Sequence, residues 1–242
     1  MSKYRGGEDV MDKDYLELKK WLEETKDQPL ETMAGFFDAR IDSYEEHMAR
    51  WKEHYRWMAE LLPASITILL DIGCGTGLEL DYIFARFPEL QVVGVDLSKE
   101  MLRKLHAKHH DKNLTLVRED YFAYDMGKEC FDAVVSFQTL HHYTAERKTA
   151  LFKKIFNCLK PRGIYLECDY IATSQAIEDL TFSECRRRRL RDGIDDDVFV
   201  HFDTPLTLEH ELNAIRTAGF KVVELVGFLP GDNHTAMIRA LK

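Results

Sequence analysis

Residues Leu69–Leu80 read LLDIGCGTGLEL. A short apolar run passes directly into a segment with glycine at positions 73, 75 and 77. Such a run, bounded by glycine, predicts a buried strand. Glycines placed just after it let the backbone approach a ligand that a Cβ would block. The helix expected from Leu78 onward begins with N–H groups that have no partner within the helix. A strand, a glycine loop and a helix N-terminus together suit a nucleotide-like ligand. The spelling is G-x-G-x-G with Leu78 in the next position, not G-x-G-x-x-G, and the glycines alone leave the ligand open.

The flanking sequence sets the loop in a larger pattern. ITILLDIG, QVVGVDL, NLTLVRED, FDAVVSF and GIYLECDY are short strands, with helical stretches near residues 77–87, 98–110 and 145–159 between them. Strands apolar on both faces and joined by helices form a parallel sheet with both faces covered. Right-handed crossovers then bring the functional loops to the carboxyl ends of the strands. Near the C-terminus, Thr207 is a plausible N-cap and Gly219 a stop for a last helix. FKVVELVGF and HTAMIRAL, joined through LPGDN, form a hairpin, so the final strand runs antiparallel.

Three features bear on the ligand. Asp96 closes the second strand, where a carboxylate can accept both hydroxyls of a ribose. Asp120 closes the third, within VREDYF, where it can meet an adenine amine. The terminal hairpin adds an antiparallel strand that a dinucleotide fold lacks. Taken with the motifs LLDIGCGTG, VVGVDLS, VREDYF, FDAVVSFQTLHHY and LKPRGIYLECDY, in that order, the chain resembles the class I S-adenosylmethionine-dependent methyltransferases over residues 64–242. The resemblance implies an α/β fold: a Rossmann-like, seven-stranded, mostly parallel sheet with an antiparallel last strand, helices on both faces and an N-terminal helical lid. It implies S-adenosyl-L-methionine as cofactor and S-adenosyl-L-homocysteine as product. Asp71, Gly73, Gly75 and Gly77 are expected along the methionine and ribose portion. Asp96 is expected at the ribose, Leu97 and Met101 near the adenine, and Asp120 and Tyr121 at its edge. Phe137 and Gln138 are expected near the sulfonium.

Residues 1–63 read as a helical arm. Met11, Tyr15, Leu18 and Leu22 recur at helical spacing; Pro29 and Gly35 interrupt the pattern. Phe37, Ile41, Tyr44, Met48, Trp51, Tyr55, Met58 and Leu62 then alternate gaps of four and three, which predicts one stripe on one helix. The arm is expected to pack on the domain, with Arg40 and Tyr44 at its upstream end roofing the cofactor. Its Trp and Met content leaves open packing on its own sheet or on a second copy, hence a monomer or a homodimer.

The acceptor side is less defined. His141 and His142 follow the fourth strand and can take a proton from a hydroxyl, thiol or ammonium, with His142 the first choice as general base and Tyr44 a further catalytic candidate. Residues 172–203 read as an insertion capping the acceptor, containing Phe199, His201 and Asp203, with Tyr170 just before it. Arg186–Arg189 and Arg191 could suggest RNA or phosphate. Asp192, Asp195, Asp196 and Asp197 lie close enough to neutralise them, and consecutive helical residues cannot share one face. His106 and His110, four apart on a helix, read as surface residues, and no metal site is assigned.

Composition narrows the classes further. The net charge is −9 over 242 residues, which argues against a nucleic-acid-binding face. The N-terminal MSKYRGGEDVMDKDY is polar, and no apolar run reaches membrane-spanning length. Five cysteines without a C-x-x-C pair read as reduced thiols in a cytoplasmic protein. The expected activity is methyl transfer to a small molecule by in-line displacement. The alternatives are an RNA (tRNA) nucleoside as acceptor, or cofactor binding without catalysis; a nicotinamide dehydrogenase ranks below both.

Overall fold

The computed structural model describes residues 6–242, with side chains from Lys13 onward. Residues 1–5 of the polar N-terminal stretch, and the Met11 side chain, therefore lie outside what is described. Seven strands build one sheet: β1 (Ile68–Ile72), β2 (Gln91–Asp96), β3 (Leu114–Arg118), β4 (Phe131–Phe137), β5 (Leu159–Tyr170), β6 (Val222–Gly227) and β7 (Thr235–Leu241). Their order is β3-β2-β1-β4-β5-β7-β6. β1 to β5 pair in parallel, and β7 enters antiparallel between β5 and β6. Strand order reverses beside β1, where β2 and β4 flank it on opposite sides. This switch opens a crevice at the carboxyl ends, where the glycine loop lies.

The helices are α1 (Gly6–Glu24), α2 (Met33–Ala39), α3 (Tyr44–Met48), α4 (Lys52–Leu61), α5 (Leu78–Arg86), α6 (Lys99–Lys108), α7 (Ala145–Cys158), α8 (Gln175–Asp192) and α9 (Leu208–Thr217). Two apolar layers cover the two sheet faces. One joins Leu70, Val134, Phe152, Tyr165 and Ile215; the other joins Leu69, Val92, Leu105, Ile83 and the arm residues Met58 and Leu62. Thr207 accepts from the His210 N–H as the N-cap of α9, and Gly219 follows its end with φ +117°.

The arm departs from the expected single helix. All eight stripe residues turn inward or partly inward, but the backbone breaks after Ala39, passes through a turn, and continues as α3, a 3-10 turn (Ala49–Trp51) and α4. No Pro or Gly interrupts residues 36–62. Side chains instead satisfy carbonyls released at the bends: Arg40 donates to Phe36 O at 3.0 Å, Lys104 to Ile41 O at 2.6 Å, and Arg50 to His47 O at 3.2 Å. Periodicity reports which side chains are buried, and a bent path can keep the same set inside.

Candidate active site

Gly73 and Gly77 show why this loop needs glycine. Both sit in the left-handed region, at φ +68° and +70°. A Cβ on Gly73 would lie 2.2 Å from Thr139 Oγ1, and one on Gly77 would lie 2.4 Å from Leu105 Cδ1. Gly73 thus lets Thr139 close on the loop, while Gly77 lets α5 start against α6. The loop is tied to β2 by Gly73 N–H donating to Val95 O at 2.8 Å. Asp96 locks the arrangement, accepting from Gly75 N at 2.9 Å and Ser98 N at 2.8 Å.

Above the loop lies a crevice of about 50 Å³ walled by Gly73, Gly75, Asp96, Leu97, Met101, Tyr121, Phe137 and Gln138, with Tyr44, Phe37 and His142 at its outer end. Asp71, Gly77 and Asp120 do not line it. Asp71 is fully buried behind the loop, with neither oxygen meeting a donor, and burial together with Glu79 pushes its carboxyl well up. Burial also pushes Glu79 up, to about 7. Asp120 instead closes its own turn, accepting from Phe122 N at 2.9 Å. Tyr121 turns its hydroxyl inward, donating to Thr139 O at 3.1 Å.

A larger chamber of about 940 Å³ adjoins the crevice. Phe36, Tyr44, His47 and Trp51 roof it, and His141, His142, Tyr170, His201, Asp203 and His234 also line it. Phe37, Tyr44, Gln138 and His142 wall both spaces. Gln138 holds its place in left-handed backbone, φ +48°, with its N–H donating to Cys168 O at 2.9 Å. Arg40 lines the chamber and not the crevice. Its guanidinium pairs with Glu31 at 2.8 Å and lies over the Phe36 ring.

The two histidines have opposite electrostatics. His141 Nδ1 lies 2.5 Å from Asp169 Oδ1 and Nε2 lies 3.4 Å from Asp203 Oδ1. Burial disfavours its charge, but Asp169 and then Asp203 outweigh it and push the ring up to about 10. Burial and the adjacent His141 push His142 down to about 3, so it is neutral. Its Nδ1 faces Phe202 O at 3.2 Å. Asp203 is half open to the chamber, at 49%. The wall around it disfavours charge, yet His141 and His142 hold its carboxyl well below the usual range.

Only the end of the 172–203 segment reaches the chamber, through His201 and Asp203; the N-terminal elements form most of the roof. Three arginines of α8, Arg187, Arg188 and Arg191, face the arm, while Arg189 turns to the carbonyls of Asp195 and Val198. Arg188 is buried and donates to Thr25 Oγ1 at 2.9 Å and Leu22 O at 3.3 Å, while Arg191 donates to Gln28 O at 2.7 Å and pairs with Asp192. His109 pairs with Asp81 at 2.8 Å, and His54 lies 3.2 Å from Asp232. The sequence reading passed over Ser98, Thr139 and Asp169. Thr139 had no signal beyond following β4, and Asp169 read as the end of a strand.

The glycine cradle, the Asp96 carboxylate and the apolar walls of Leu97 and Met101 suit an adenosyl group. The crevice measures about 50 Å³; Met33, Ala34 and Phe37 of α2 line it beside Ser98, whose Oγ donates to Asp38 Oδ1 of the same helix at 2.5 Å. Residues 69–163 match the family model for a methyltransferase domain. That stretch is a methyltransferase domain, and the chain is similar to class I S-adenosylmethionine-dependent methyltransferases. Its cofactor is S-adenosylmethionine. The chain is 22% identical over 214 residues to carboxy-S-adenosyl-L-methionine synthase of Nautilia profundicola, a match spanning 81% of this chain and 87% of that one. It is 32% identical over 133 residues to malonyl-[acyl-carrier protein] O-methyltransferase of Herminiimonas arsenicoxydans, spanning 54% of this chain and 48% of that protein. In fold it is similar to human N-acetylserotonin methyltransferase solved with its cofactor, with TM-score 0.64 and 15% identity over 88% of this methyltransferase and 59% of the human one. It thus spans only about half of two of these relatives. Among the described residues, no helix is long and apolar enough to cross a membrane.

Proposed function

We propose that this methyltransferase acts on a small molecule held in the 940 Å³ chamber, with Gly73, Gly75, Asp96, Leu97, Met101, Tyr121, Phe137 and Gln138 holding the cofactor. Residues 1–63 serve as arm and lid to the domain of residues 64–242. The observation that carries this reading is the shared wall: Phe37, Tyr44, Gln138 and His142 border both spaces, so an acceptor in one meets the reacting end of a ligand in the other.

S-adenosylmethionine supplies a methyl group on a sulfonium, already activated for displacement. The chain's task is then mainly alignment, which contributes about 7–11 kcal/mol at best. Tyr44 and Phe37 exclude water at the junction, and Gln138 fixes its outer edge. Neutral His142 takes the acceptor's proton where one must leave, although burial makes it a weak base and acid–base assistance adds about 10²–10⁴.

An RNA acceptor is disfavoured because Arg187, Arg188 and Arg191 of α8 are engaged with Glu184, Asp192 and arm carbonyls. The similarity to the synthase, over 81% of this chain and 87% of that one, supports a second reading, in which the chamber's occupant alters the cofactor itself. Incubation with methyl-labelled cofactor and cell extract separates these readings. Label is expected in the small-molecule fraction. Label in RNA overturns the proposal, as does a modified cofactor that keeps its methyl group.

A further inference from the structure

Methyl transfer by alignment leaves the floor of the chamber unexplained. Among the described residues, His141, His142 and Asp203 are the group of His, Cys, Asp or Glu side chains whose ligand atoms lie within 4.8 Å of one another. We propose that these three residues hold a divalent transition-metal ion of the zinc or cobalt class at the acceptor end of the active site. This rests on the reading of the chamber as the acceptor's.

Two of the three edges of the group have the length of edges in a coordination polyhedron, and the third lies within 4.8 Å. Asp203 Oδ1 lies 3.4 Å from His141 Nε2 and 3.4 Å from His142 Nδ1. Bonds of about 2.0–2.1 Å in a tetrahedral site place neighbouring ligands about 3.4 Å apart. Ordinary hydrogen-bonded pairs sit closer, at about 2.7–3.2 Å.

The surrounding shell also fits. Asp169 is buried and holds His141 Nδ1, so the ring presents Nε2 to the chamber. Asp169 is itself fixed by Leu140 N–H and Tyr170 N–H, each at 2.8 Å. A carboxylate behind a histidine orients the ring and raises its basicity as a ligand. Charge balances as well. Asp169 and Asp203 are two carboxylates around one ring, whose charge a dication balances. At His142 the proton moves from Nδ1 to Nε2, freeing the Nδ1 lone pair beside Asp203.

Asp203 is half open to the chamber, so at least one coordination position faces the acceptor. An ion there can hold a hydroxyl or thiol and favour its anionic form near neutral pH. With the ion bound, activation of the acceptor passes from His142 to the metal. His106 and His110, spaced for a helix site, belong to no such group: His110 turns to Ala107 O.

The test uses the full chain, stripped with chelator and titrated with Co²⁺. One tight equivalent with visible absorption of a low-coordinate site, displaced by Zn²⁺, is expected. Asp203→Asn and His141→Gln should weaken it at least about tenfold, and Asp169→Asn by about 10–100-fold, with S-adenosylhomocysteine binding retained as the measure of folding. His106→Asn/His110→Asn should leave it unchanged. Co²⁺ affinity in Asp203→Asn equal to the parent's, or loss only in the His106/His110 variant, overturns the proposal. The titration needs no acceptor. If it succeeds while label enters RNA, the small-molecule reading falls and the metal site stands.

Discussion

Gly73 concentrates the residue-scale constraints. With φ at +68° and Thr139 Oγ1 2.2 Å from any Cβ, Gly73→Ala must strain the backbone and push Thr139 away. The expected loss is about 1–3 kcal/mol of stability, read by denaturant unfolding, together with weakened S-adenosylhomocysteine binding by calorimetry. The Asp71–Glu79 pair behind the loop makes a pH-dependent contribution. Both folded-state values are raised by burial, Glu79 to about 7, so the folded chain keeps protons that the unfolded chain releases. The associated stability is complete below the ordinary carboxylate range and is lost as pH rises through about 7. The denaturant midpoint of the parent should fall from about pH 5 to about pH 8 more steeply than that of Glu79→Gln. Equal slopes would mean that Glu79 ionises normally. LLDIGCGTG disclosed the glycines, but the partners that make them necessary, Thr139 and Leu105, lie far along the chain.

At the scale of elements, α2 is a lid held by few contacts. Ser98 Oγ donates to Asp38 at 2.5 Å, and Lys104 holds Ile41 O at 2.6 Å. A bond to a charged group contributes about 1.5–3 kcal/mol, and less where Asp38 is exposed. Asp38→Ala should therefore speed association and release of S-adenosylhomocysteine by about tenfold at most, as followed by stopped flow; unchanged rates would show that α2 is not the gate. Helix α8 has a different task from the one its arginines suggested. Arg188 is buried, stacks on Phe202 and satisfies Thr25 and Leu22 at the end of α1. Arg188→Met should cost about 1–3 kcal/mol by leaving those acceptors without a donor. It should also expose the arm to limited proteolysis before the sheet unfolds. The arginine run was visible in the sequence. Its partners were not, because hydrogen bonds to backbone carbonyls carry no residue signature.

Across the whole molecule, the segment leading into α2 and the strap at residues 199–203 are tied to one another. Met33 N–H donates to Phe199 O at 3.0 Å, His201 N–H to Glu31 O at 2.9 Å, and the Phe36 and His201 rings stack 3.5 Å apart. Amides of residues 31–37 and 199–203 should exchange together and slow together when S-adenosylhomocysteine binds, while β1 and β4 stay unchanged. Hydrogen-exchange mass spectrometry reads this, and independent rates in the two segments would separate lid from strap. The sheet, its antiparallel last strand and the glycine loop were legible because they rest on local pattern: apolar runs, glycine after a strand, an acid at a strand end. The unbroken arm helix was not borne out, because burial periodicity survives a bend that Lys104 and Arg40 stabilise from outside the pattern. The residues by themselves determined a covered parallel sheet with a cofactor loop at its switch point, since each of those features is encoded within a few positions. Only the tertiary structure decided the chamber, the opposite charge states of His141 and His142, and the meeting of Asp169 and Asp203 around one ring. Those depend on distances between residues some 30 to 60 positions apart, which spacing along a chain does not specify.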